Sequence, residues 1–265
     1  MSEKSTEREY TERAQESDHE ELSMTTGILA VDIGGLSIKA AVLDIKGHML
    51  TERLRIVTPH PCPPDLLLDL VTSLTRDMPA FNRISVGFPG VVRQGRVLTA
   101  ANLQSDEWID FELAKQLSVR LGNYPTRVIN DADMIGFALI DGVGLEIVVT
   151  LGTGFGTAIF RDGDLMPHME LAHHPIAEGR TYDQYLGDAE LKKIGSKTWN
   201  ERLALALALL NTLFHPDQIL LGGGNARYVS TSLPANTRIV SEARGISGGA
   251  ALWREYPPLP DLSHN

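Results

Sequence analysis

The order of apolar runs predicts an α/β fold built from two related halves. Strand-like and helix-like segments alternate along the 265 residues. One strand meander opens near residue 28, and a second occupies 147–160. Glycines and polar residues collect at the ends of the apolar runs, where sheets of this class bind their ligands.

ILAVDI (28–33) and the stretch 37–44 read as two strands, with a third over roughly 48–57 and Gly47 in the last turn. Short strands joined by glycine turns make an antiparallel meander. TPHPCPP (58–64) ends it, because proline cannot donate to a sheet ladder. Pro63 and Pro64 then open the helix suggested by DLLLDLVTSLTRD, since the fixed φ of proline suits a first helical turn. ISVGFPGVV (84–92) reads as a strand entering a glycine-proline loop, and FELAKQLSVRLG (111–122) as a helix stopped by Gly122. TRVIND (126–131) is a strand followed by a helix over 132–140. IVVTLGTGFGTAIF (147–160) is two strands hinged on a glycine turn. A long, mostly buried helix is expected at 198–214, a strand into a glycine loop at 218–224, and a final helix from 245. There is no internal sequence repeat.

An apolar content of 43% and a charged content of 22% are those of an ordinary globular chain long enough for one large core or two lobes. The net charge of −10 argues against a nucleic-acid or anionic-membrane surface. Half of it lies in residues 1–22, which carry eight acidic and three basic side chains. Without an amphipathic stripe, residues 1–26 are expected to be a disordered acidic tail. That segment lacks the basic start and apolar middle of a secretion signal. The longest apolar run, LALALALLNTLF (203–214), is too short to span a bilayer. Cys62 stands alone, which allows no internal disulfide and suits a reducing cytoplasm.

Four strand tips carry the chemistry. Asp32 ends the first strand and is followed by Gly34 and Gly35. Glycine lets backbone N–H groups approach an anion because no Cβ intervenes. Beside such a loop Asp32 is suited to a hydrated Mg²⁺ and Lys39 to phosphate charge; the alternative is a tight hairpin with Asp32 in the turn. LGTGFGT (151–157) offers a second cradle through Gly152, Thr153 and Gly154, or again a plain hairpin. It matches neither a Walker nor a Rossmann pattern, since no Gly-Lys-Ser/Thr and no helix follow. In VINDAD (128–133), Asp131 is either a helix N-cap or a general base acting on a hydroxyl, with Asn130 fixing a neighbouring hydroxyl. Glu170 and His173, three residues apart in MELAHH, suit vicinal hydroxyls better than zinc, because no third ligand accompanies them. LGGGNA supplies a third loop, Gly222, Gly223 and Gly224, able to lie against an adenine or ribose.

Taken in this order, VDIGGLSIKAAVLD, FPGVVRQGRVLTAANL, NDAD, LGTGFGTAIF, LLGGGNA and ISGGAAL resemble the ROK family of repressors and sugar kinases, over about 27–255. Within it the chain is most similar to the polyphosphate/ATP glucokinase branch, whose TP-rich turn VTPHPCPP resembles. The resemblance implies a two-lobed, actin-like (ribonuclease H-like) ATPase/sugar kinase fold. Its small lobe would comprise 27–127 plus 246–262, and its large lobe 128–245. It implies Asp131 as the base that deprotonates a sugar 6-hydroxyl, with Asn102, Asn130, Glu170 and His173 holding other hydroxyls. It also implies Mg²⁺, ATP or polyphosphate as donor, glucose or a close hexose as acceptor, and a possible homodimer, with no nucleic-acid or membrane partner.

Three departures from the family pattern stand out. Leu36 replaces a threonine of the first loop, a hydroxyl that Ser37 is placed to supply instead. Ala172 replaces a glycine between Glu170 and His173. The segment HHPIAEGRTYDQYLG has no cysteine, so no structural zinc is expected; Asp183 or Glu178 stands in for a further sugar-contacting acid. No helix-turn-helix precedes the kinase-like body. A sugar-binding regulator with little turnover, or a mannose or N-acyl-hexosamine kinase, are the alternative readings.

Overall fold

The structure is a computed structural model that describes residues 27–254. The acidic segment 1–26 and the end of the 246–262 stretch lie outside the described residues. Two five-stranded sheets organise the chain, and both have the same topology. In the first, β1 (Ile28–Ile33) pairs antiparallel with β2 (Ser37–Leu43), which pairs with the edge strand β3 (Leu54–Val57). On its other side β1 runs parallel to β4 (Arg83–Phe88), which runs parallel to β5 (Thr126–Asn130). In the second, β6 (Leu145–Leu151) pairs antiparallel with β7 (Phe155–Arg161), followed by the short β8 (Asp164–Leu165). On its parallel side lie β9 (Gln218–Gly222) and β10 (Thr237–Ile239).

The two glycine hairpins, β1–β2 and β6–β7, are therefore equivalent corners of one repeated unit, although the sequence shows no repeat. The tips of β4 and β9 are equivalent in the same way. All five residues of β5 pair in the first sheet, so the expected lobe boundary at 127/128 runs through a strand.

Alternation divides β1 between two cores. Leu29, Val31 and Ile33 pack under α1 (Pro64–Thr75) and α2 (Leu113–Arg120) with Trp108. Ile28 and Ala30 face Ile246 and Ala250 of the C-terminal segment. In the second half, Ile147, Val149 and Leu151 pack on Trp199, Leu203, Leu207 and Leu210 of the long helix. Both faces of both strands are buried, which is why they read as unbroken apolar runs.

Between the sheets lie α3 (Asp131–Phe137) and a 3₁₀ helix, Glu242–Trp253. Phe137 meets Phe160 of β7 edge-on with centroids 5.0 Å apart. Gly248 passes so close to the backbone of α3 that a Cβ would fall 1.8 Å from the Met134 carbonyl oxygen. Ser85 of β4 ties this layer to the first sheet by donating to the Gly249 carbonyl and accepting from Trp253 Nε1, at 2.7 and 2.8 Å.

Several expected boundaries move. The third strand starts at Leu54 rather than near 48, because the Asp44 carboxylate accepts from the amides of Lys46 and His48 and closes a turn there. The strand read in ISVGFPGVV, by contrast, keeps its place, running Arg83–Phe88 and entering its loop at Pro89. The long helix α5 (Asp188–Phe214) begins ten residues earlier than 198, with a break at Gly195, whose φ is +77°. The helix α4 (Tyr182–Leu186) was not expected, although its Thr181/Gln184 capping box is visible in the sequence. The closing helix is a 3₁₀ helix that starts at Glu242, three residues before 245. Cys62 is a buried core residue whose carbonyl accepts from Trp108 Nε1 at 2.8 Å. No helix among the described residues is long and apolar enough to cross a membrane.

Candidate active site

One cavity of about 180 Å³ gathers the strand tips of both halves. Asp32, Gly34 and Lys39 line it from the first hairpin, and Gly152, Thr153 and Gly154 from the second. Asn102, Asn130, Asp131, Glu170, His173 and Asp183 line it between them, and Gly223 and Gly224 close it from β9. Gly35, Ser37 and Gly222 do not line it, nor does Glu178, which is exposed beside Arg180. Leu36 is also outside, with its side chain 59% exposed.

The hairpins face one another closely. A Cβ on Gly35 would lie 3.9 Å from Thr153 Cγ2. Each turn is closed by its own backbone, with Gly34 N donating to Ser37 O at 3.0 Å and Gly152 N to Gly154 O at 3.1 Å. Behind the first loop, Thr58 Oγ1 donates to Gly34 O at 2.7 Å and His60 Nε2 lies 2.6 Å from Gly35 O. This is the local use of the TP-rich turn: it braces the first loop from outside the cleft. Asn225 Nδ2 and Asp188 N both donate to Gly152 O, bracing the second.

The helix α3 begins at the cleft, and its cap bears on the two readings of Asp131. Asn130 is the N-cap: its Oδ1 accepts from Ala132 N at 2.8 Å and Asp133 N at 3.4 Å. Its Nδ2 donates to Gly90 O at 3.1 Å, so Asn130 is largely engaged within the protein. Asp131, at the first helical position, keeps one local bond, from Ala132 N to its Oδ1 at 2.9 Å. The rest of its carboxylate faces the cavity. Burial, reinforced by the negative charge of Asp32, pushes its carboxyl up to about 8. A carboxylate poised near neutrality is suited to take a proton.

Charge in the cavity is unbalanced toward acid. Asp32, Asp131, Glu170 and Asp183 face only Lys39 and His173. Lys39 Nζ is spent on Asp32 Oδ2 at 2.7 Å. Directly across from Lys39 on the edge strand lies Arg55, exposed and without an ion pair among the described residues. Asp183 Oδ1 accepts from Phe155 N at 2.7 Å, and only glycine at 154 leaves room, since a Cβ would sit 2.3 Å from that oxygen. Glu170 is held below the usual carboxylate range: burial works against its charge, but His168 and His173 outweigh it. Asp133 and His168, which carried no assigned role in the sequence, form a buried pair behind Glu170. Nothing in the spacing of 133 and 168 announces their meeting.

A match to the ROK family model extends over residues 28–174, covering both hairpins, the Asn130–Asp131 tip and the Glu170–His173 segment. The chain belongs to the ROK family. It is 30% identical over 213 residues to the polyphosphate glucokinase of Mycobacterium leprae, an alignment covering 77% of this chain and 65% of that protein's length. It is 32% identical over 148 residues to an N-acetylmannosamine kinase of Escherichia coli, covering 54% of this chain and 50% of that one. Among solved structures, the inorganic polyphosphate/ATP-glucomannokinase of Arthrobacter sp. strain KM superposes with a TM-score of 0.78 at 30% identity, over 86% of this chain and 98% of that one. The ROK glucokinase of Streptomyces griseus, solved with glucose and AMPPNP, gives 0.68 at 20% identity, over 85% and 98%. This ROK chain thus has the two-lobed, actin-like ATPase fold.

Proposed function

We propose that this ROK protein is a hexokinase-type phosphotransferase that moves a phosphoryl group from polyphosphate or ATP to the 6-hydroxyl of glucose or a close hexose. The observation that carries the reading is Asp131, freed from capping by Asn130 and set in one cavity with both glycine hairpins. A base and two phosphate cradles must converge for in-line transfer to a hydroxyl. The similarity to a polyphosphate glucokinase and a polyphosphate/ATP-glucomannokinase supports the same donor and acceptor classes.

In this reading Asp131 accepts the 6-hydroxyl proton. Asn102, Glu170, His173 and Asp183 hold the remaining hydroxyls, with Asn130 contributing its second amide hydrogen. Backbone amides following Gly34 and Gly152 hold the donor phosphates. A closed cleft keeps water from competing with the sugar.

The donor set fits a hydrated Mg²⁺ that arrives with the donor phosphates. Mg²⁺ takes one or two carboxylates and keeps several waters, and Asp32 is the carboxylate at the first loop. Among the described residues no group of three His, Cys, Asp or Glu side chains forms a metal cage. When bound, the ion neutralises phosphate charge that the acidic cavity alone would repel.

Leu36, the departure that would favour a regulator with little turnover, has an exposed side chain that does not line the cavity. An acylated-hexosamine preference is favoured by the similarity to the N-acetylmannosamine kinase and separates from glucose in a substrate panel. A coupled assay for the sugar 6-phosphate, run with each donor, tests the proposal. Absence of product from every hexose with both donors overturns it.

A further inference from the structure

Behind the sugar-facing residues lies an imidazole held between two carboxylates. His168 Nδ1 is 3.1 Å from Asp133, which belongs to the catalytic helix α3 and is only 2% exposed. The opposite nitrogen, Nε2, is buried and makes no hydrogen bond. It lies 3.6 Å from Glu170 Oε2, an ion-pair distance but too long for a hydrogen bond. The other neighbours of His168 line an adjoining cavity of about 330 Å³ and are mostly apolar: Val92, Ile129, Leu165 and Met166.

We propose that His168 is a positioning residue for the sugar site: as a cation anchored on Asp133, it keeps Glu170 ionised and fixes its carboxylate toward the hexose. The inference rests on the reading that Glu170 accepts hydrogen bonds from sugar hydroxyls. The unbonded Nε2 is the second observation behind it. Buried polar nitrogens are rarely left without a partner, and a shift of a few tenths of an ångström in Glu170 would supply one. Bonds of this kind tighten when substrate binds.

The charged groups around the pair set the sign. Asp133 faces His168 from α3, and Glu170 faces it from its own segment; His173, Asp131 and Asp183 lie beyond Glu170 in the cavity. Burial alone would push the imidazole down, but the hydrogen bond to Asp133 and the charge of Glu170 hold it up at about 10. Burial also pushes Asp133 upward. The shared proton is assigned to the imidazole, because a second carboxylate faces its other side. Without that cation, Glu170 stands among carboxylates and its own pKa rises, so the sugar loses an acceptor as pH falls.

The experiment combines ¹⁵N spectra of the sugar-free protein with glucose KM from about pH 6 to pH 9 for wild type, His168→Gln and Asp133→Asn. Wild-type His168 should show both ring nitrogens protonated at pH 8. The ratio of His168→Gln to wild-type KM should grow as pH falls, toward about tenfold for each pKa unit that Glu170 gains, and approach unity above pH 8. kcat should change by less than about threefold, since Asp131 is untouched. Asp133→Asn should move KM in the same pH-dependent direction and serves if His168→Gln does not fold. A KM ratio that is flat with pH, or an unchanged KM, overturns the assignment and leaves a packing role. A neutral imidazole in a wild type that turns over glucose overturns the assignment alone. A wild type that binds no hexose overturns the sugar reading and the assignment with it.

Discussion

Replacing Asp131 with Asn removes one proton acceptor from the cleft while keeping the shape of the residue and its bond from Ala132 N. The size of the effect follows from where that carboxylate sits. Burial beside Asp32 raises its carboxyl to about 8, so at pH 7 about one sugar-free molecule in ten carries the charged base. Wild-type kcat/KM for glucose should therefore climb about tenfold per pH unit below 8 and level off above about pH 9. General-base catalysis contributes roughly 10²–10⁴-fold, so Asp131→Asn should lose that factor at the plateau and lose the limb as well. Stability should move oppositely. A carboxyl raised above its unfolded value contributes stability that is full below pH 3.8 and lost as pH rises through about 8. The Asn variant should thus gain more in Tm at pH 9 than at pH 5. A coupled glucose 6-phosphate assay and thermal melts across pH decide it. A wild-type rate flat from pH 6 to 9, or an Asn variant within about tenfold of wild type, would refute the assignment of Asp131 as base.

Leu36→Thr should alter the KM of either donor by less than about twofold, because residue 36 points outward at 59% exposure; a clear gain in donor kinetics would show that the loop moves inward on binding. Gly154→Ala should raise glucose KM at least about tenfold, since the new Cβ would lie 2.3 Å from Asp183 Oδ1 and must displace a half-buried carboxylate; unchanged kinetics would remove Asp183 from the sugar site. Arg55→Ala should weaken long-chain polyphosphate severalfold and ATP little, because Arg55 continues the Asp32–Lys39 row toward the sheet edge; equal effects on both donors would contradict that path.

Much of this molecule was legible in single segments. Period and punctuation located β1, β2, α1 and both glycine hairpins, because each is decided by neighbours a few residues away. The elements whose bounds moved, β3 and the start of α5, depend on a side-chain-closed turn and on a glycine break. Local propensity does not encode those contacts.

For the site, residue types at strand tips singled out Asp32, Asp131, Glu170, His173 and the two hairpin loops, each with a plainer alternative, and the resemblance to the ROK family joined them into one expected chemistry. Spacing alone left Asp131 open between cap and base. The tertiary structure gives the cap to Asn130, leaves the Asp131 carboxylate to the cavity, and raises it by burial beside Asp32. It also turned Leu36 out of the cavity and joined Asp133 to His168 across 35 residues. Such pairings arise only when two sheets of the same topology close on one another, because side-chain direction and charge proximity are properties of the packed molecule.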